Sequence, residues 1–252
     1  MDNDRLRECL DEDYTRLRKV AAGADLAARV PSCPDWTVAE LVDHVAMVYL
    51  HKVACMKFGR PQEWPPETGG EEPLPLLERA YGELAAEFAT RAPSTSAYTW
   101  YEPDQTVGFW VRRMAQETVI HRVDAELGAG VPIAPIPADL ALDGIDELLV
   151  AFVSYGSRAW AEDFADVLAP AAGTTVHIAA GERAWSVEIA ADGVSVADAS
   201  GGVGTGASTS IAGEPDDVLL WLWNRAGDGA VTTSGDPDAL AAFRRVLVAA
   251  TQ

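Results

Sequence analysis

Apolar residues recur every three or four positions through most of the first 160 residues, which predicts amphipathic helices. The clearest stripe runs through Leu6, Leu10, Tyr14 and Leu17 of a segment that is otherwise charged. Five helices are predicted in this half of the chain, at 3–21, 37–58, 74–91, 107–127 and 138–159.

The period changes in the second half, where short β-branched segments alternate between apolar and polar residues, as strands do. The Gly/Ser-rich segment 200–208 is expected to be a flexible loop and not a phosphate cradle, because no helix follows it directly. The predicted strands are 175–180, 184–190, 194–199, 208–213 and 231–235. Two helices are predicted in this half, at 214–227 and at 237–250. The second has Asp236 as its cap and Pro237 at its first position.

This order predicts an α+β protein of two domains, because helices come first and strands with segregated helices follow. Pro170 and Gly173 interrupt the pattern near 158–173, where the boundary is placed. The expected domains are therefore a helical bundle at 1–158 and a small α/β domain at 159–252.

Composition restricts the function classes. The 39 acidic residues outnumber the 19 basic ones and give a formal charge of −20, which argues against a nucleic-acid groove and an anionic membrane surface. The longest apolar run, Leu148–Val153, is too short to cross a bilayer. Three cysteines and a start without a signal-peptide pattern predict a cytoplasmic protein. A small molecule is then the expected partner, and the chain is expected to be a monomer or a homodimer.

Candidate chemistry lies on two predicted helices. Glu117 and His121 are four residues apart, so both side chains can point at one position in space. His44 lies in the apolar stripe of helix 37–58. A third ligand from a neighbouring helix would complete a metal site with one open position. The alternatives are a hydrogen-bonded pair at the surface and a buried histidine without a metal.

Two motifs resemble the mycothiol-dependent maleylpyruvate isomerase family, which belongs to the DinB-like helical-bundle superfamily. They are VPSCPDWTVAELVDHVA at 30–46 and ETVIHRVDAE at 117–126. A third segment, LLWLWNRAGDGAVTTSGDPDAL at 219–240, resembles the C-terminal domain of that family, which is similar to sterol carrier proteins. The resemblance implies a four-helix bundle followed by a small α/β domain.

The same resemblance implies that His44, Glu117 and His121 bind zinc or a similar divalent metal. It also implies mycothiol as the thiol cosubstrate, and a catalytic role for Arg225. The alternative for Arg225 is a charge at a helix C-terminus, where it would interact favourably with the helix dipole. A metal-bound thiol loses its proton near neutral pH and becomes a nucleophile. In the namesake reaction, the thiolate would add to the double bond of maleylpyruvate, and rotation followed by elimination would give the trans product.

Two function classes stay open at this point. The first is a metal- and mycothiol-dependent enzyme acting on a small electrophile, by cis–trans isomerisation or by thiol S-transfer. The second is a non-catalytic small-molecule-binding or regulatory module, with a structural metal or none. The fourth metal position is expected to be open, because no further Cys or His has suitable spacing.

Four other residues near these motifs have weaker claims. His51 lies two turns after His44 and either lines the pocket or faces solvent. Trp36 is expected to pack against the start of helix 37–58, and Cys33 to be a bystander. Asp124 either orients His121 or forms an ion pair at the surface, and the surface pair is the primary prediction.

Overall fold

The structure, a computed structural model, describes residues 1–200 and 206–251. Of the predicted loop at 200–208, residues 201–205 lie outside the described part. The described residues form two compact units, Met1–Pro135 and Ile136–Gln252.

The first unit is a four-helix bundle, as predicted. Its helices pack in a closed ring, with α1 on α4 and α3, and α2 on α3 and α4. A two-stranded hairpin precedes α2. The elements are α1 (Asn3–Gly23), β1 (Arg29–Val30), β2 (Cys33–Thr37), α2 (Val38–Phe58), α3 (Pro73–Thr90) and α4 (Val107–Ala129).

Local signals determine where α2 and α4 begin and end. At the start of α2, Thr37 Oγ1 accepts the N–H of Glu40, and the Glu40 carboxylate accepts the N–H of Thr37, which is the predicted capping box. Helix α4 ends at Gly130, in the left-handed conformation that glycine adopts without strain. Gly128 brings α4 close to α2, because a Cβ there would lie 2.9 Å from a methyl of Val38.

Helix α4 is buried on almost every side. The polar residues along it are buried together with the apolar ones. Buried polar groups are costly unless they are paired, so α4 must obtain partners for them inside the protein. These buried polar residues are Arg113, Gln116, Thr118, His121, Arg122, Asp124 and Glu126.

The second unit holds a five-stranded sheet in the order β5-β4-β3-β6-β7. Strands β3 and β6 are parallel, and the other neighbours are antiparallel. The strands are β3 (Thr175–Ala180), β4 (Arg183–Ala190), β5 (Gly193–Asp198), β6 (Thr209–Gly213) and β7 (Thr232–Gly235). The helices are α5 (Ala138–Glu147), a π-helical segment (Leu148–Tyr155), α6 (Gly156–Ala159), α7 (Ala161–Ala171), α8 (Pro215–Leu222), a 3₁₀ turn (Asp228–Ala230) and α9 (Pro237–Ala250).

Two details of this unit differ from the sequence prediction. The predicted break at 158–173 contains helix α7, in which Pro170 is the second-last residue. The compact units divide after Pro135, whereas the sequence places the boundary after residue 158. The reason is that α5 packs on α8, and the π-helical segment packs on β5 and α9.

No helix within residues 1–200 and 206–251 has both the length and the apolar character that a membrane span requires.

Candidate metal centre

Three side chains singled out from the sequence meet between α2 and α4. His44 Nε2 lies 3.3 Å from Glu117 Oε1, and His121 Nε2 lies 3.2 Å from the same oxygen. One ligand atom from each residue can be chosen so that all three lie within 4.8 Å of one another. His44 and Glu117 are partly buried and His121 is buried. Among the described residues, this is the one group of three or more His, Cys, Asp or Glu that could hold a metal ion.

Helix geometry accounts for the convergence. Glu117 and His121 are one turn apart on α4, so their side chains project from the same face. His44 lies in the second turn of α2, and the capping box fixes where that helix starts. Because α2 and α4 are neighbours in the bundle, the third side chain meets the other two across the interface between the helices.

Electrostatics keep Glu117 ionised although it is partly buried. Burial raises the pKa of this carboxyl, but His121, His44 and Arg113 outweigh it and hold the pKa well below its usual value. Burial lowers the pKa of His121, but Glu117 and Asp124 overcome this and raise the pKa to about 9. The Glu117 carboxylate therefore favours positive charge beside it, which is a property expected of a cation-binding group.

Residues around the group orient its ligand atoms. Asp124 is fully buried, and its Oδ2 lies 2.9 Å from His121 Nδ1. When a metal is bound, a proton on Nδ1 donated to this carboxylate would leave the Nε2 lone pair available as a ligand. Ser32 Oγ donates to the other Asp124 oxygen over 2.5 Å. The primary prediction of a surface ion pair for Asp124 is thus wrong, and its second reading, orientation of His121, agrees with the geometry.

Arg113 orients the carboxylate in a comparable way. Its Nη2 donates to Glu117 Oε2 over 2.7 Å, which leaves Oε1 directed at the two histidines. The sequence analysis missed this residue, although Arg113 and Glu117 have the four-residue spacing of a helical ion pair.

The donor set fits a divalent metal. Two imidazole nitrogens and one carboxylate oxygen are the ligands of many catalytic zinc sites. Both histidines present Nε2 to the same point, and the two groups that orient the ligands leave Nε2 of His121 and Oε1 of Glu117 available.

Two tryptophans border the group. The Trp36 ring centroid lies 4.6 Å from that of His44 and 6.1 Å from that of His121. Trp64, in the long loop after α2, contacts His44 edge-on with centroids 5.9 Å apart, and its side chain is about half exposed. Trp36 was expected to pack against the helix start, and the structure adds its contact with both histidines. The sequence analysis missed Trp64.

The remaining candidates lie outside the three-residue group. The Cys33 thiol donates to Asp124 over 3.8 Å. His51 is half-buried and packs edge-on against Trp64, with centroids 5.5 Å apart. Arg225 belongs to the second unit and follows α8. Its Nη1 donates to the Trp223 carbonyl over 2.6 Å.

Asp124 allows a test of whether its contact with His121 supports metal binding. Asp124→Asn should weaken zinc binding by about 10- to 100-fold, because a neutral amide oxygen is a weaker acceptor for His121 Nδ1–H than the carboxylate that fixes its tautomer. Competition with a chromogenic chelator measures the affinity. Cys33→Ala, which changes another neighbour of the same carboxylate, is the control and should bind zinc as the wild type does. Equal affinities of Asp124→Asn and the wild type would refute the orienting role.

Two family models together match most of the chain. A family model described as the mycothiol maleylpyruvate isomerase N-terminal domain matches residues 7–126. A second model, described as the MDMPI C-terminal domain, matches residues 139–242. No match to a curated protein was found.

Two crystal structures share the fold of this chain. A crystal structure of the mycothiol-dependent maleylpyruvate isomerase superimposes with a TM-score of 0.63 at 16% identity, covering 93% of both chains. A histidine-to-alanine mutant of the mycothiol-dependent maleylpyruvate isomerase gives 0.64 at 15% identity, with the same coverage. A UbiJ-SCP2 ubiquinone synthesis protein covers 46% of the chain with a TM-score of 0.30.

Proposed function

Because the chain belongs to the mycothiol maleylpyruvate isomerase family, we propose that it is a metal-dependent enzyme that uses mycothiol. The thiol would be activated for addition to a small electrophile. The isomerase reaction is the primary proposal, and S-transfer of the thiol to an electrophile is the variant that the same site would support.

The observation that carries this proposal is the incomplete ligand set. Structural zinc sites close with four protein ligands, whereas catalytic sites keep one position for an exogenous ligand. Three ligand residues converge here, and no fourth joins them within the described residues. We therefore propose that the fourth position takes the cosubstrate thiol.

Each residue has a distinct proposed role. A divalent cation held by His44, Glu117 and His121 would lower the pKa of a bound thiol, so that it is a thiolate at neutral pH. Asp124 keeps the His121 proton on Nδ1, and Arg113 keeps Glu117 Oε1 directed inward. Trp36 shields the histidines on one side.

The isomerisation balances without a further reagent. The thiolate forms a bond to one carbon of the cis double bond, and the electron pair moves into the adjacent carbonyl as an enolate. Rotation about the new single bond and expulsion of the thiolate give the trans double bond. We propose Arg225, which the family resemblance indicates, as the cation that stabilises the developing enolate. In S-transfer the carbon–sulfur bond is retained, and the enolate is protonated instead.

A cobalt-substituted protein tests whether a thiol occupies the fourth position. Adding mycothiol should shift the visible spectrum toward that of sulfur ligation, and the S-methylated thiol, which cannot ionise, should not. Under the same conditions, thiol-dependent conversion of maleylpyruvate should be measurable. An unchanged spectrum would contradict the proposal and leave the second reading, a binding or regulatory module with a structural metal.

Zinc is the metal proposed, and a carbonyl-containing electrophile is the expected partner. We also propose a reducing, cytoplasmic setting, which the three free cysteines support.

A further inference from the structure

Lys52 places a cation at the interface between α2 and α4, where the three proposed ligands also lie. It lies eight residues after His44 on α2, about 12 Å further along the helix axis at 1.5 Å per residue. Side chains of a helix lean toward its N-terminus, so the Lys52 side chain leans back toward His44. The Glu117 carboxylate acts on the Lys52 charge, which agrees with this direction.

Aromatic rings form the walls around this ammonium. Lys52 Nζ lies 5.2 Å from the ring centroid of Trp110 on α4 and 5.9 Å from that of Trp64. Trp110 is buried, and Trp64 is the ring that also contacts His44. Cation–π contacts of this kind stabilise a charge that has little water around it. The tryptophans thus hold Lys52 near the proposed metal ligands.

A hydrogen-bond relay fixes the orientation of Lys52. His51 Nε2 lies 3.1 Å from the Gln62 carbonyl, which can only accept, so Nε2 carries the proton. His51 Nδ1 then accepts from Lys52 Nζ over 2.9 Å. Within the described residues, this is the one hydrogen bond of the ammonium, although an ammonium has three N–H groups to donate.

An ammonium placed in this way favours an anion beside it. Burial lowers the pKa of Lys52, and Glu117 offsets a part of that effect. Arg113, a second cation at this interface, already donates to Glu117. Because the whole chain carries a formal charge of −20, an anionic substrate needs a local cation to overcome repulsion at short range.

We infer that Lys52 binds a carboxylate of the substrate, so that the enzyme selects carboxylate-bearing electrophiles over neutral ones. This inference rests on the proposed function, since it names the substrate class of the same site. The substrate would lie between the metal position and Lys52, with its double bond nearer the thiol. Lys52 is therefore a substrate-binding residue of the first unit, separate from Arg225.

A matched pair of ligands tests the inference without turnover. Maleate and maleamide share the cis double bond, but only maleate carries negative charge. Calorimetry with zinc-loaded protein should show that Lys52→Met weakens maleate binding by about 10- to 100-fold, the scale of a charge-assisted hydrogen bond. Binding of maleamide should not change, and Lys52→Arg should retain most of the affinity for maleate. Lys57→Met is the control, because Lys57 lies on the same helix with an exposed side chain paired with Glu87.

Two results would overturn the inference. One is a Lys52→Met protein that contains zinc and binds maleate as tightly as the wild type. The other is an equal loss of maleate and maleamide binding, which indicates a structural role. In kinetics, KM for maleylpyruvate should rise in Lys52→Met while the cobalt spectrum still responds to mycothiol. If the wild type shows no thiol response but Lys52→Met still loses maleate binding, the proposed function fails and the anion site stands.

Discussion

His121→Ala is expected to leave the protein without tightly bound zinc and without thiol-dependent turnover. The remaining ligands, His44 and Glu117, belong to different helices, and two protein ligands rarely hold zinc against water. Elemental analysis after dialysis should fall from about one zinc per chain to less than about a tenth. Turnover should fall by at least about 1,000-fold, since the uncatalysed thiol keeps its ordinary pKa.

The control for this variant is a histidine of the other unit. His177→Asn changes a residue of β3 that is outside the three-residue group, so it should keep both zinc and turnover. Circular dichroism should show that His121→Ala retains its helices. Full zinc content in His121→Ala would refute the proposed ligand set, and full activity without zinc would refute metal dependence.

Arg122→Met is expected to destabilise the bundle by about 3–5 kcal/mol, the usual result of removing one partner from a buried ion pair. Arg122 Nε donates to Asp13 over 3.0 Å and Nη1 donates to Glu126 over 2.7 Å. The Arg122 and Glu126 side chains are 1% and 0% exposed. Burial already raises the pKa of Asp13 to about 6 although Arg122 opposes the shift, so the loss of the cation leaves the Asp13 carboxyl group without its ion-pair partner in a buried position. Urea unfolding of the metal-free protein measures the change.

An exposed arginine that also pairs with two carboxylates is the comparison. Arg79 bridges Glu71 and Glu83, and all three side chains are 38–39% exposed. Arg79→Met should therefore change the stability by less than about 1 kcal/mol. Adding Asp13→Asn to Arg122→Met should recover a part of the loss, because it removes the carboxyl group that has lost its cation, whereas Glu126 keeps Arg16, whose Nε lies 2.7 Å from its Oε1. Equal effects of Arg122→Met and Arg79→Met would show that burial is not the cause.

Much of the first unit could be predicted from local pattern. The predicted ranges of α2 and α4 agree with the structure to within two residues at each end, because a cap at Thr37 and a glycine at Gly130 mark the boundaries. The fold class was confirmed, and the strands of the second unit were found within one residue. Helix 214–227 was predicted too long, since α8 ends at Leu222 and Asn224 adopts a left-handed conformation.

The candidate site was predictable only in part. The spacing of Glu117 and His121 pointed to one shared target, whereas the choice of His44 as their partner came from the family resemblance. Whether these residues bind a metal stays a prediction. The spacing of Arg113 and Asp124 was compatible with their contacts but did not decide them, and Lys52 gave no signal of its own, because these roles depend on which other elements surround the residues.

The sequence by itself determined most of the elements, since helix caps, apolar period and turn residues act over a few positions along the chain. It also determined that Glu117 and His121 share a face of α4. Only the tertiary structure decided that α4 is enclosed on almost every side, so that charged residues which a helix usually turns to solvent are buried. It also decided that α5 joins the second unit. The physical reason is that burial and partner choice depend on contacts between distant segments, and a buried charge selects its partners from whatever those segments bring within reach.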